Sequence, residues 1–166
     1  MSERAKRHPQ YQEAKSAAVK LLGFRARTRR HLEDKLRGKG VPVEATEQAL
    51  DDLQRAGYID DESYARDRVE ALLRQSKRGP VALKHALIQD GLDGHLVERV
   101  VSQRLEDEDP GEWALEVAMQ RVKRLRGLDA DTARRRLYGY LSRRGFDEAH
   151  VLRATEEALD TLNQQQ

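Results

Sequence analysis

A chain of 166 residues that is 38% hydrophobic and 36% charged, with one Trp and two Phe, must build its core mainly from Leu, Val and Ala. That composition favours thin helical layers over one thick centre. The absence of cysteine excludes a disulfide framework and thiolate metal sites and fits a reducing compartment; no apolar run approaches membrane-spanning length.

Residues 1–9 read as a disordered basic leader, charged where a signal peptide needs an apolar stretch, which points to the cytoplasm. The first unit, 10–58, opens with a helix striped by Ala14, Ala18, Leu21 and Leu22 and ended near Gly23. Thr28 caps a second helix, which carries Leu32 and Leu36 and stops at Gly40. Pro42 opens a third, through Ala45, Ala49, Leu50 and Leu53 to Gly57 and Tyr58. In the second unit, 59–109, Asp60 or Asp61 caps a helix striped by Ala65, Val69, Leu72 and Leu73, the spacing of the first unit. Lys77, Arg78 and Gly79 form a turn, and Pro80 takes the first position of the Leu83 helix, where its missing N–H is no loss. Asp93 caps the next helix, with Leu96, Val97, Val100, Val101 and Leu105 inward, and residues 106–111 read as a linker of four acidic residues, Pro110 and Gly111. The third unit, 110–162, uses Ala114, Ala118, Val122 and Leu125, turns over residues 127–131 with a few extra residues, and continues through Leu137 and Leu141 to Gly145. Asp147 caps the last helix, with Val151, Ala154, Ala158, Leu159 and Leu162, before a disordered tail, 163–166.

One phrase therefore appears three times: Leu32, Leu36, Gly40, Val41; Leu83, Leu87, Gly91, Leu92; and Leu137, Leu141, Gly145, Phe146. Leucines four apart share a helix face, and glycine four beyond the second can take the left-handed conformation that ends the helix, with the next apolar residue closing back on the second leucine. Leu53, Gly57 and Tyr58 repeat that ending. Alternating patterns are absent. The expected fold is all-α, an elongated array of three tandem three-helix repeats.

The net charge of +2 conceals a reversal of sign inside every unit. Residues 1–40 carry 12 Lys/Arg against 4 Asp/Glu and residues 41–62 carry 1 against 7. The second unit gives 6 against 2 and then 2 against 8, the third 9 against 3 and then 1 against 5. Such segregation either lines one side of the array with positive charge or joins neighbouring units through opposite charges. The basic residues cluster around the second helix of each unit: Arg25, Arg27, Arg29, Arg30, Lys35, Arg37 and Lys39; then Lys77, Arg78 and Lys84; then Arg134, Arg135, Arg136, Arg143 and Arg144. Successive cations of this kind can follow a polyanion with little sequence preference. Tyr138 and Tyr140, inside the third cluster, either stack on bases or pack against apolar neighbours.

Chemistry of other kinds finds no support. Gly38-Lys39-Gly40 lacks the glycine and hydroxyl of a phosphate loop. His31 and His85 have no partner at zinc-ligand spacing. Asp60-Asp61-Glu62 reads as a helix start rather than a carboxylate site. No serine has a nucleophile-elbow context. The chain is expected to be no enzyme and to use no cofactor and no metal.

The stretch Gly57-Tyr58-Ile59-Asp60-Asp61-Glu62-Ser63-Tyr64-Ala65 resembles the signature of the RecX recombination regulators: Gly-Tyr-aliphatic-Asp-Asp followed by an aromatic-Ala pair. Thr28 to Gly40 and Lys77 to Leu92 resemble that family's first and second Leu-x3-Leu-x3-Gly helices, and Leu137 to Phe146 the Arg-Gly-aromatic ending of its third. The resemblance implies a modulator that lies in the groove of the RecA filament on single-stranded DNA and opposes its activity in recombination, repair and the SOS response. It marks Gly57, Tyr58, Asp60, Asp61 and Tyr64 as structural or partner-contacting. The sequence departs from the family where His31 replaces the glutamate of a capping box with Thr28, where Ala82 and Ala86 replace charged residues, and where Asp90 stands in place of a lysine. The expected partners are the RecA filament and single- or double-stranded DNA, with no membrane, for a monomeric protein. The alternatives are a sequence-tolerant nucleic-acid-binding protein without a recombinase partner and an adaptor that binds only proteins.

Overall fold

The structure, a computed structural model, describes residues 9–164, with side chains as far as Leu162. Among the described residues there are nine α-helices and no strand: α1 (Pro9–Leu22), α2 (Arg29–Arg37), α3 (Val43–Arg55), α4 (Asp61–Gln75), α5 (Pro80–Gln89), α6 (Gly94–Arg104), α7 (Pro110–Val122), α8 (Ala130–Arg143) and α9 (Glu148–Gln164). Consecutive triplets pack together, α1 with α2 and α3, α4 with α5 and α6, and α7 with α8 and α9. Each triplet encloses its own apolar cluster. The six leucines of the repeated phrase are fully buried in these clusters, each contributing about 2 kcal/mol.

Side chains start the helices where the sequence places their caps. Thr28 Oγ1 accepts from the His31 N–H at 3.2 Å, Asp93 Oδ1 from the His95 N–H at 2.9 Å, and Asp147 Oδ1 from the His150 N–H at 2.9 Å. Of the two candidates for α4, Asp60 is the cap, accepting from the Ser63 N–H at 2.9 Å. At the ends, the N–H groups of Val41, Tyr58 and Leu92 donate back to the carbonyls of Leu36, Leu53 and Leu87, the bond that closes a Schellman turn.

Several local expectations change. The Tyr58 backbone closes the turn but its side chain does not join the core: it is 65% exposed, and Ile59, one residue later, enters the first core instead. The expected linker 106–111 contains the start of α7, because Asp109 accepts from the Gly111 N–H at 2.7 Å and Pro110 sits at the first helical position. The turn of the third unit is shorter than expected. Asp129 caps α8, so Ala130 and Asp131 are helical, and buried Ala133 adds a turn ahead of Leu137. The apolar stripe of α7 is carried to Leu125 by a 3₁₀ turn, Lys123–Leu125, which suits its three-residue step from Val122. Of the leader 1–9 only Pro9 lies within the described residues, and it opens α1. The predicted tail is helical through Asn163 and Gln164, since no glycine or cap interrupts α9.

The units meet end to end through their middle helices. The Asp90 carbonyl, at the end of α5, accepts from the Thr28 hydroxyl at 2.7 Å at the start of α2. The Arg144 carbonyl, at the end of α8, accepts from the Gly79 N–H at 2.9 Å at the start of α5, and the Gly145 carbonyl from the Val81 N–H at 3.1 Å. In both joints the negative end of one helix dipole faces the positive end of the next.

Candidate functional site

The first joint is flanked by a cleft of about 490 Å³, lined by Arg25, Arg27 and Arg30 from the first unit and by Tyr64, Arg68 and Asp90 from the second. The turn between α1 and α2 carries Phe24, 86% exposed, next to Arg25. Arg27 Nη1 donates to His31 Nε2 at 2.7 Å. Its Nε is buried with no hydrogen-bond partner among the described residues. Burial lowers the His31 pKa first, with Arg27, Lys35 and Arg25 adding to it, so the ring is neutral and accepts. Across the joint, Asp90 Oδ2 accepts from Arg68 Nε at 2.8 Å and from the Tyr64 hydroxyl at 3.3 Å. Asp61 Oδ1 accepts from the Arg29 N–H at 2.9 Å; burial pushes its carboxyl up, opposed by that hydrogen bond. A second-unit carboxylate therefore takes up one of the free N–H groups of the first turn of α2, that of Arg29.

A second cleft, of about 340 Å³, flanks the other joint and is lined by Ser76, Arg78, Ala82, Arg143 and Arg144. Its positions repeat those of the first. Arg27 and Arg78 each precede the residue that starts a middle helix, Arg25 and Ser76 lie three before it, and Gln89 and Arg143 lie two before the glycine that docks there. Arg144 Nη1 donates to the Lys77 carbonyl at 3.3 Å and Nη2 to the Tyr140 hydroxyl at 2.8 Å.

Arg30 at the first cleft and the predicted cations away from the clefts have carboxylate or hydroxyl partners or stand exposed. Arg29 binds Asp51 at 2.8 Å, Glu33 at 3.1 Å and Gln54 at 2.9 Å. Arg30 and Arg37 share Asp34, each at 3.6 Å. Lys77 pairs with Glu116, Lys84 with Glu98 and Arg134 with Glu156; the Lys84 hydrogen bond holds the Glu98 carboxyl below its usual range. Such exposed pairs are screened by solvent and add little to stability. Arg135 reaches Thr132 at 3.3 Å, and Lys35, Lys39, Arg136 and Arg143 are exposed. Tyr138 and Tyr140 pack against the third core, and the Arg121 and Arg144 guanidinium groups each lie over the Tyr140 ring, 4.8 and 5.1 Å from its centroid.

Of the signature residues, Gly57 ends α3, Tyr58 is free in solvent, Asp60 caps α4, and Asp61 and Tyr64 serve the first joint. Arg68, Phe24 and Arg121 escape sequence reasoning; only a contact across 22 residues links Arg68 to Asp90. Among the described residues no group of three His, Asp or Glu side chains is placed to hold a metal ion, and no helix is long and apolar enough to cross a membrane.

Models of RecX's first and second three-helix domains match residues 14–53 and 60–101. The chain is 36% identical over 151 residues to the regulatory protein RecX of Streptomyces lividans, covering 90% of this chain and 79% of that protein. It is 33% identical over 138 residues to that of Chlorobium phaeobacteroides, covering 83% and 87%. The crystal structure of RecX from Lactobacillus salivarius superposes with a TM-score of 0.77 at 22% identity, covering 90% of this chain and 96% of that one.

Proposed function

This chain belongs to the RecX family of regulatory proteins, and from that premise we propose that it binds the RecA–DNA filament in the cytoplasm, as a monomer, and lowers RecA's ATP hydrolysis, strand exchange and co-protease action. The observation that carries the reading is the extent of the likeness, which runs over 90% of the chain and takes in all three units. The physical form suits it: modest contacts on several units of one array add through effective concentration. Nothing is catalysed; binding favours one assembly state of the recombinase over another. The basic clefts at the joints favour a second reading, a nucleic-acid-binding protein that needs no recombinase.

Equilibrium binding to naked single-stranded DNA and to a RecA–DNA filament, each across a salt series, separates the two. The filament should be bound more tightly than the naked strand, and RecA's ATPase should fall at low ratios of this protein to RecA. Equal affinity for both with an unchanged ATPase would remove the recombinase and leave the second reading.

A further inference from the structure

The two clefts occupy equivalent positions, and each lies where arginines from two units come together. In the first, Arg25 and Arg27 precede α2 and Arg30 is its second residue, with Arg68 from the second unit opposite; Arg30 and Arg68 pair with Asp34 and Asp90 at the cleft, and the Arg27 Nε is buried without a partner among the described residues. In the second, Arg78 from one unit faces Arg143 and Arg144 from the next. Arg25, Arg78 and Arg143 take part in no ion pair among the described residues, unlike Arg29, Lys84 or Arg134. The separation follows from α5, which joins the two sites: Gly79 to Gly91 is 12 residues, about 18 Å of helix at 1.5 Å per residue.

We infer that the clefts are paired phosphate sites for one single strand of nucleic acid, which crosses both joints with about five phosphates from one cleft to the other at stacked spacing. The inference deepens the nucleic-acid part of the proposed function and rests on that part alone. Guanidinium groups suit phosphate because their planar fork donates two hydrogen bonds to it. A repeated site at fixed distance suits a polymer whose anion is also repeated at fixed distance, which an acidic peptide of varied sequence does not offer. Phe24, exposed beside the first cleft, supplies a flat face on which a base can stack. No equivalent aromatic marks the second, where Gln75 takes the corresponding place.

The test uses the full chain without recombinase and oligothymidylates of increasing length. Binding should rise abruptly, by about a hundredfold, between about four and about twelve nucleotides, as the strand becomes long enough to occupy both clefts. The double variant Arg25→Glu with Arg143→Glu changes two exposed side chains and should remove that rise while leaving helicity and melting temperature unchanged. A control with the same change of charge away from the joints, Lys123→Glu with Arg124→Glu, should weaken all lengths evenly and keep the rise. The inference is overturned if affinity grows smoothly with length, if both double variants act alike, or if a polyglutamate peptide of equal charge competes as well as the oligonucleotide. Loss of the RecA effect with the rise intact would count against the proposed function and leave the clefts standing; the reverse result would do the opposite.

Discussion

A methyl group added at Gly145 would lie 2.3 Å from the backbone nitrogen of Ala82, whereas one added at Gly40 meets nothing within 4 Å. Both residues have positive φ, +80° and +78°, so alanine at either costs about 1–2 kcal/mol of backbone strain. Gly145→Ala must in addition push two units apart. Its melting temperature should fall clearly further than that of Gly40→Ala, and equal losses would mean that the second joint contributes nothing. The missing Cβ of Gly145 is what allows that approach. His31 gives a second test. Because its neutral ring is the folded form, its contribution is complete above the unfolded value of about 6.5 and is lost as pH falls below it, where the unfolded chain binds the proton more readily. Asp34 opposes the effect but ranks last among its causes. Cooling of the melting transition from about pH 7.5 to about pH 5.5 should therefore be smaller in His31→Gln than in the parent.

At the scale of the helix, the clearest contrast lies between neighbours after Gly57. Ile59 is 2% exposed and Tyr58 65%. Ile59→Ala should cost about 2–5 kcal/mol and Tyr58→Ala less than about 0.5 kcal/mol, measured by denaturant unfolding. The helices were legible because leucines four apart, a cap before them and a glycine after them are local signals. Tyr58 was misjudged for the same reason: the other three glycine stops are followed by a buried residue, and only the packed core distinguishes one that turns outward. Asp109-Pro110-Gly111 reads as a breaker yet begins α7, since the residues that interrupt one helix also start another. The site was legible only in composition. Arg25, Arg27, Arg30, Arg78, Arg143 and Arg144 were recognisable as basic residues near the middle helices, but Thr28 meets Asp90 across 62 residues, and no local pattern announces that contact. Arg29 looked equivalent to its neighbours and instead ties α2 to Asp51 and Gln54 on α3.

At the scale of the whole molecule, three small cores joined at narrow contacts set how the protein unfolds. Stability in such an array is a sum of unit and joint terms. The calorimetric enthalpy should exceed the van't Hoff enthalpy, and Gly145→Ala should widen the gap by freeing the third unit to melt alone. A single sharp transition with equal enthalpies would show that the joints couple the units fully. Because α8 abuts α5 and α5 abuts α2, each carboxyl end against the next amino end, the row of middle helices has a direction, an amino end at one extreme and a carboxyl end at the other. A polymer with a chemical sense of its own, such as a strand running 5′ to 3′, therefore has one favoured way to lie along it, and turning it round would set the same groups against the wrong neighbours.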